Sequence, residues 1–197
     1  MQRVLFDFDI ISPYAYLAFE RLPNALEGVS HHVEYRPLLF AGLLKAWGNT
    51  APVDVAPKKA WLFRQCAWLA QRDGVPFVPP TPHPFNPLAL LRLLVASVPA
   101  GVHPNRRVVE LAMRHVWARD GGDANDPAAL KTLTEAVAPL RDPASPEVKA
   151  ELQARTAQAA EAGVFGVPFF RLDDGQQFWG QDGMAMLVDA MRRNAAA

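Results

Sequence analysis

The segment FDFDIISPYAYLA, residues 6–18, holds the first side chain whose position suggests chemistry: Ser12, followed directly by Pro13. Serine is favoured just before a helix, and proline suits the first helical position. The spacing sets a hydroxyl between a strand end and a helix start, where unpaired N–H groups and the helix dipole favour negative charge. A thiolate brought there would be stabilised; the plainer alternative is that Ser12 only caps its helix. A second group is Val167-Pro168 within GVFGVPFF, residues 163–170. Proline lacks an N–H and does not belong inside a central strand. At a strand start it makes either a cis peptide that turns the Val167 backbone outward or an ordinary trans bond on an edge. The third group is FWGQDGM, residues 178–184, where glycine, exposed N–H groups and the Asp182 carboxylate meet at a helix start. Asp182 either holds an ammonium group or caps that helix.

Two other reactive residue types read as inert. Cys66 is the single cysteine, which excludes an internal disulfide and a CxxC redox pair. It shares a helical face with Leu62 and Leu69 in WLFRQCAWLAQ and reads as a small buried hydrophobe. The pair His31-His32 has no acid or cysteine cluster around it, so no metal site is expected.

The elements that must position these groups follow from periodicity. Val4, Phe6 and Phe8 alternate with Leu5, Asp7 and Asp9, a short strand. A helix then runs from Ser12-Pro13 to about residue 26, and a second β-prone stretch covers His32 to Arg36. Together they predict a right-handed parallel βαβ unit. From about 40 to 162 the apolar spacing is helical, as in Leu88, Leu91 and Val95, or Val108, Ala112 and Val116. Proline-rich breaks at residues 75–87 and 142–146 divide the helices. β signals return in VPFFRLDDGQQFWG, with a hairpin turn at Asp174-Gly175. A last helix places Met184, Leu187, Val188 and Met191 on its apolar side. The predicted fold class is α/β: a thioredoxin-like fold with a large inserted α-helical domain. Residues 1–38 and 163–197 make the thioredoxin-like domain, and 39–162 the insert.

In such a sheet the three chemical segments converge on one edge. Glutathione fits that group: its thiolate at Ser12, its peptide along the Val167 backbone, and its γ-glutamyl ammonium on Asp182.

The opening FDFDIISPYAYLA, the stretch LLKAWGNTAPVDVAPKK, and FGVPFF with WGQD near the end jointly carry a resemblance over nearly the whole length. The chain resembles the 2-hydroxychromene-2-carboxylate isomerase family, and more broadly the kappa-class glutathione transferases and the DsbA-like branch of thioredoxin proteins. The resemblance implies that Ser12 activates glutathione, that Asn49 and Lys58 contact it, and that Val167-Pro168 is a cis-proline site. Trp179, Gly180, Gln181 and Asp182 match the segment holding the γ-glutamyl end. It further implies a reaction in which the thiolate adds to a conjugated substrate, a carbon–carbon bond turns, and the thiolate is eliminated. An aromatic carboxylate substrate needs a cation, for which Lys45 and Arg64 are candidates, with His83 and Asn86 as polar groups at the acceptor pocket. Related enzymes dimerise, so a homodimer is an expected partner state. Two alternatives stay open: a kappa-like transferase that keeps the conjugate as product, and a non-catalytic glutathione- or peptide-binding module. A disulfide oxidoreductase is disfavoured, because a serine forms no mixed disulfide.

Composition narrows the setting. Twenty basic residues balance twenty acidic ones without long single-sign blocks, which disfavours a nucleic-acid partner. The first ten residues lack the apolar region of a secretory signal, and no run approaches the roughly 18 apolar residues of a membrane span. The expectation is a soluble cytoplasmic protein.

Overall fold

A computed structural model describes residues 1–196. Strand β1 (Gln2–Phe8), helix α1 (Pro13–Ala25) and strand β2 (His31–Pro37) open the chain, with β1 and β2 parallel from Gln2 opposite His31 to Phe8 opposite Pro37. Six helices follow: α2 (Phe40–Trp47), α3 (Ala56–Asp73), α4 (Leu88–Ala96), α5 (Arg106–Trp117), α6 (Pro127–Val137) and α7 (Pro146–Glu161). The antiparallel strands β3 (Phe169–Leu172) and β4 (Gln177–Trp179) and helix α8 (Met184–Ala196) close it. The sheet order is β2-β1-β3-β4, so β1, which leads into the serine turn, is a central strand.

The helix boundaries have local causes. Asn105, Asp126 and Ser145 each accept a hydrogen bond from the N–H three residues on, capping α5, α6 and α7. Pro23 inside α1 has no N–H to offer the Phe19 carbonyl. Arg106 takes that carbonyl instead at 3.1 Å, with its guanidinium over the Phe19 ring.

One cluster of buried side chains joins both parts of the chain. Phe6 and Phe8 of β1 and Tyr16, Phe19 and Leu22 of α1 pack with Leu62 and Cys66 of α3, Leu91 of α4 and Val109 of α5. Leu187 and Met191 of α8 belong to the same cluster. A smaller one, Leu38, Leu43, Ala159, Val164, Val167 and Phe169, seats the Val167 segment between α2 and α7. The acidic positions expected on the outer face are not solvated, since Asp7 in β1 and Asp9 just after it are both buried. Asp7 meets Arg171 at 2.8 Å and Arg36 at 3.3 Å.

Candidate active site

Ser12 caps α1 in an extended backbone conformation and is almost fully buried. Its Oγ accepts from the Ala15 N–H at 3.2 Å and donates to the Val167 carbonyl at 3.4 Å. The second contact is long for an O–H···O bond, so the hydroxyl hydrogen is weakly engaged and able to rotate to a better acceptor. Two of the three predicted segments therefore meet in one bond. The Val167-Pro168 peptide is cis rather than trans, and its Val167 carbonyl faces the buried Ser12 hydroxyl.

The turn that carries the serine is held by groups from several elements. Asp9 Oδ1 accepts from the Ile11 N–H at 3.0 Å, and Oδ2 from the Phe40 N–H at 2.8 Å, at the start of α2. Burial pushes the Asp9 carboxyl up to about 7, against the lowering effect of those N–H donors. The Trp117 indole donates to the Ile10 carbonyl at 2.8 Å, and His83 Nε2 to the Ile11 carbonyl at 3.0 Å.

The third segment lies at the end of β4. Trp179 is exposed and its ring lies 5.1 Å from that of Phe165. The Gly180 N–H donates to the Pro168 carbonyl at 2.9 Å, which ties the segment to the proline. Gly180 has φ 86°, a left-handed conformation that disfavours a side chain. Gln181 is buried and accepts from Arg21 at 2.8 Å. Asp182 is exposed, and no hydrogen bond from the described residues reaches its carboxylate. Burial first, then the Cys66 and Asp182 charges, push the Tyr14 phenol up to about 12.

The remaining predicted residues scatter more widely. Asn49 follows the α2 C-cap, exposed, its Oδ1 accepting from the Thr50 N–H at 2.8 Å. Lys58 is exposed on the first turn of α3. Lys45 is exposed on the last turn of α2, and Arg64 on α3 sits over the Trp61 ring at 4.5 Å. Among the described residues, no hydrogen bond or ion pair ties Asn49, Lys58, Lys45 or Arg64 to the serine turn. Asn86 is exposed just before α4, and its Oδ1 accepts from the Leu88 N–H at 3.0 Å. Cys66 is buried, and burial pushes its thiol up to about 12, well away from a thiolate.

Sequence reasoning did not single out Asp9, Tyr14, Trp117 or Gln65, whose amide oxygen accepts from the Tyr14 hydroxyl at 2.6 Å. For Asp9 a signal existed: an acid just after the apolar end of β1, three residues before the serine. The others depend on contacts between distant parts of the chain.

The sheet order, the helices between β2 and β3, and the hydroxyl at the head of α1 define a thioredoxin-like protein with a helical insertion. The family model of the DsbA-like thioredoxin domain matches residues 3–192. A 2-hydroxychromene-2-carboxylate isomerase of Sphingobium xenophagum is 30% identical over 189 residues, covering 92% of this chain and 94% of that protein. Glutathione S-transferase kappa 1 of Homo sapiens is 27% identical over 202 residues, covering 92% and 87%. A solved structure of 2-hydroxychromene-2-carboxylate isomerase superposes with a TM-score of 0.84 at 26% identity, covering 98% of this chain and 96% of that one. The chain belongs to the DsbA-like thioredoxin family, in the group that holds the 2-hydroxychromene-2-carboxylate isomerases and kappa-class glutathione transferases.

Proposed function

We propose that this chain is a glutathione-dependent isomerase acting on 2-hydroxychromene-2-carboxylate or a related aromatic-catabolism intermediate. The observation that carries the reading is the Ser12 hydroxyl, held at a helix N-terminus by Ala15 and bonded only loosely to the Val167 carbonyl. The names of the relatives, an isomerase and glutathione transferases, support the same reading.

The residues present suit glutathione. Among the described residues the Val167 N–H meets no acceptor, so it offers a donor to a peptide lying beside it. The Asp182 carboxylate is unengaged and suits an ammonium group. Lys58 and Asn49, an exposed cation and an exposed amide, are the groups proposed for the carboxylates of the tripeptide. Trp179, Gly180 and Gln181 shape the turn that presents Asp182. When bound, glutathione supplies a thiol that adds reversibly to a conjugated carbon.

The protein's share is electrostatic. Ser12 turns its O–H from the Val167 carbonyl toward the sulfur, and the N-terminal end of α1 adds its dipole and the Tyr14 N–H, which meets no acceptor among the described residues. Both favour the thiolate, which at a free pKa near 8.5 is otherwise a minor species at neutral pH. Lys45 and Arg64 are the cations proposed for a substrate carboxylate, and Asn86 keeps its amide NH2 for an acceptor group.

The test is turnover of chromene-type acids with glutathione present well below substrate. An isomerase makes many products per glutathione with no loss of thiol. Consumption of one thiol per product assigns a transferase instead, and tight binding without turnover across the panel assigns a binding module.

A further inference from the structure

His83 lies in the proline-rich stretch between α3 and α4, and both its ring and its backbone are engaged. The ring packs edge-on against Phe63 of α3 at 5.0 Å and lies 5.6 Å from Trp117 of α5 and 6.0 Å from Phe85. Its Nε2 is 3.0 Å from the Ile11 carbonyl, the peptide oxygen immediately before Ser12. A carbonyl only accepts, so Nε2 carries the hydrogen and the neutral ring is a single tautomer. Its Nδ1 is buried and meets no partner among the described residues. The His83 carbonyl in turn accepts from Lys59 on the first turn of α3. Burial, against the raising effect of the Ile11 bond and with a further push from the Lys59 charge, holds the imidazole below its usual range, in keeping with a neutral ring.

Trp117 acts in parallel through its 2.8 Å bond to the Ile10 carbonyl. Among the described residues, neither the Ile10 nor the Ile11 carbonyl is taken by a backbone N–H. The peptide planes leading into Ser12 are thus oriented by two side chains from the helical part of the chain. With one ring nitrogen spent on Ile11 and the other closed off from solvent, His83 has no polar atom turned to a substrate.

We propose that His83 is a positioning residue: its Nε2–H fixes the Ile11-Ser12 peptide and so aims the serine hydroxyl at a bound thiol. The geometric half stands on the bonds above, and the kinetic half rests on the glutathione-dependent reading.

The test compares wild type with His83→Leu, which deletes the donor and keeps apolar bulk, and His83→Gln, which keeps an N–H at similar reach. Hydrogen exchange in the ligand-free protein reads the Ser12 and Ala15 amides. His83→Leu should speed both about 10-fold, the scale of one lost hydrogen bond, while His83→Gln stays within about threefold of wild type. With glutathione bound, the ultraviolet absorbance of the thiolate gives its pKa. His83→Leu should raise that pKa toward the Ser12→Ala value, with glutathione affinity within about threefold of wild type.

Unchanged exchange in His83→Leu overturns the proposal, as does His83→Gln failing as badly as His83→Leu. Should the leucine variant not fold, nitrogen NMR of the wild type decides: an Nε2–H tautomer unmoved by substrate supports positioning, and an Nδ1–H tautomer overturns it. A wild-type chain that binds no glutathione defeats the functional reading alone, and the exchange data still judge the role of His83.

Discussion

Ser12 does two jobs that a substitution separates. As the cap of α1 it is worth about 1 kcal/mol, so Ser12→Ala should lower the melting temperature by only a few degrees. As the donor to a thiolate it matters far more. Activity at saturating glutathione should fall at least about 10-fold, the scale of a hydrogen bond to a charged group. A variant that keeps half the wild-type rate would reduce Ser12 to a cap. Asp9, three residues earlier, makes the stability of the turn depend on pH. Its carboxyl titrates near 7 when folded and near 3.9 in an unfolded chain. Between those values the folded state holds the extra proton, so this group's contribution to stability falls as pH rises from about 4 to about 7. Subtracting the pH profile of Asp9→Asn from that of wild type should reveal this downward slope. A flat difference would mean that Asp9 is already ionised in acid.

At the scale of elements, the β4–α8 junction places Asp182. The left-handed Gly180 turns the chain out of β4. At Gly183 a Cβ would stand 2.4 Å from the Trp179 carbonyl oxygen, a backbone atom that cannot give way, so only glycine fits. The junction holds an exposed carboxylate without using it for capping. Asp182→Asn should therefore leave α8 intact while weakening glutathione binding by about 1–3 kcal/mol, the usual cost of a charge-assisted bond. Calorimetric titration measures the affinity, and the rate at saturating glutathione should change less. Equal affinity in both proteins would remove Asp182 from the site.

Across the whole molecule, a chain of charges ties the sheet to the helices. Arg171 of β3 and Arg36 of β2 share Asp7 of β1. Arg36 also meets Glu34 at 2.6 Å, and Glu34 accepts from His103 at 3.1 Å. His103 accepts from Arg155 of α7, which pairs with Glu151, itself bound to Arg141. Burial and the neighbouring Arg155 and Arg36 charges push the His103 imidazole down to about 4, so it relays the bonds as a neutral ring. Removing one partner of a buried pair leaves an uncompensated charge. Asp7→Ala should cost about 3–5 kcal/mol in chemical denaturation, far more than loss of the half-exposed Arg114–Glu20 pair. A loss below 1 kcal/mol would show that Arg36 and Arg171 find other partners.

Local signals were enough for much of this protein. Alternation in residues 4–9, Ser12-Pro13, the Asp174-Gly175 turn and the 3.6-residue spacing of Met184, Leu187 and Met191 each depend on neighbours within a turn or two of chain. They determined the element order, and with it the thioredoxin-like frame and the place of Ser12. Alternation alone did not show that Asp7 and Asp9 face inward, because burial on the second side of β1 depends on Arg36, Arg171 and the start of α2. Nor did it show that His83 would bond the Ile11 carbonyl 72 positions away, or that Trp117 would take Ile10 across 107. Such contacts are set by how α3, α5 and the proline-rich stretch pack over the serine turn. The hydroxyl was legible in the sequence; the bonds that orient it exist only once the chain has folded, since partners so far apart meet only through tertiary packing.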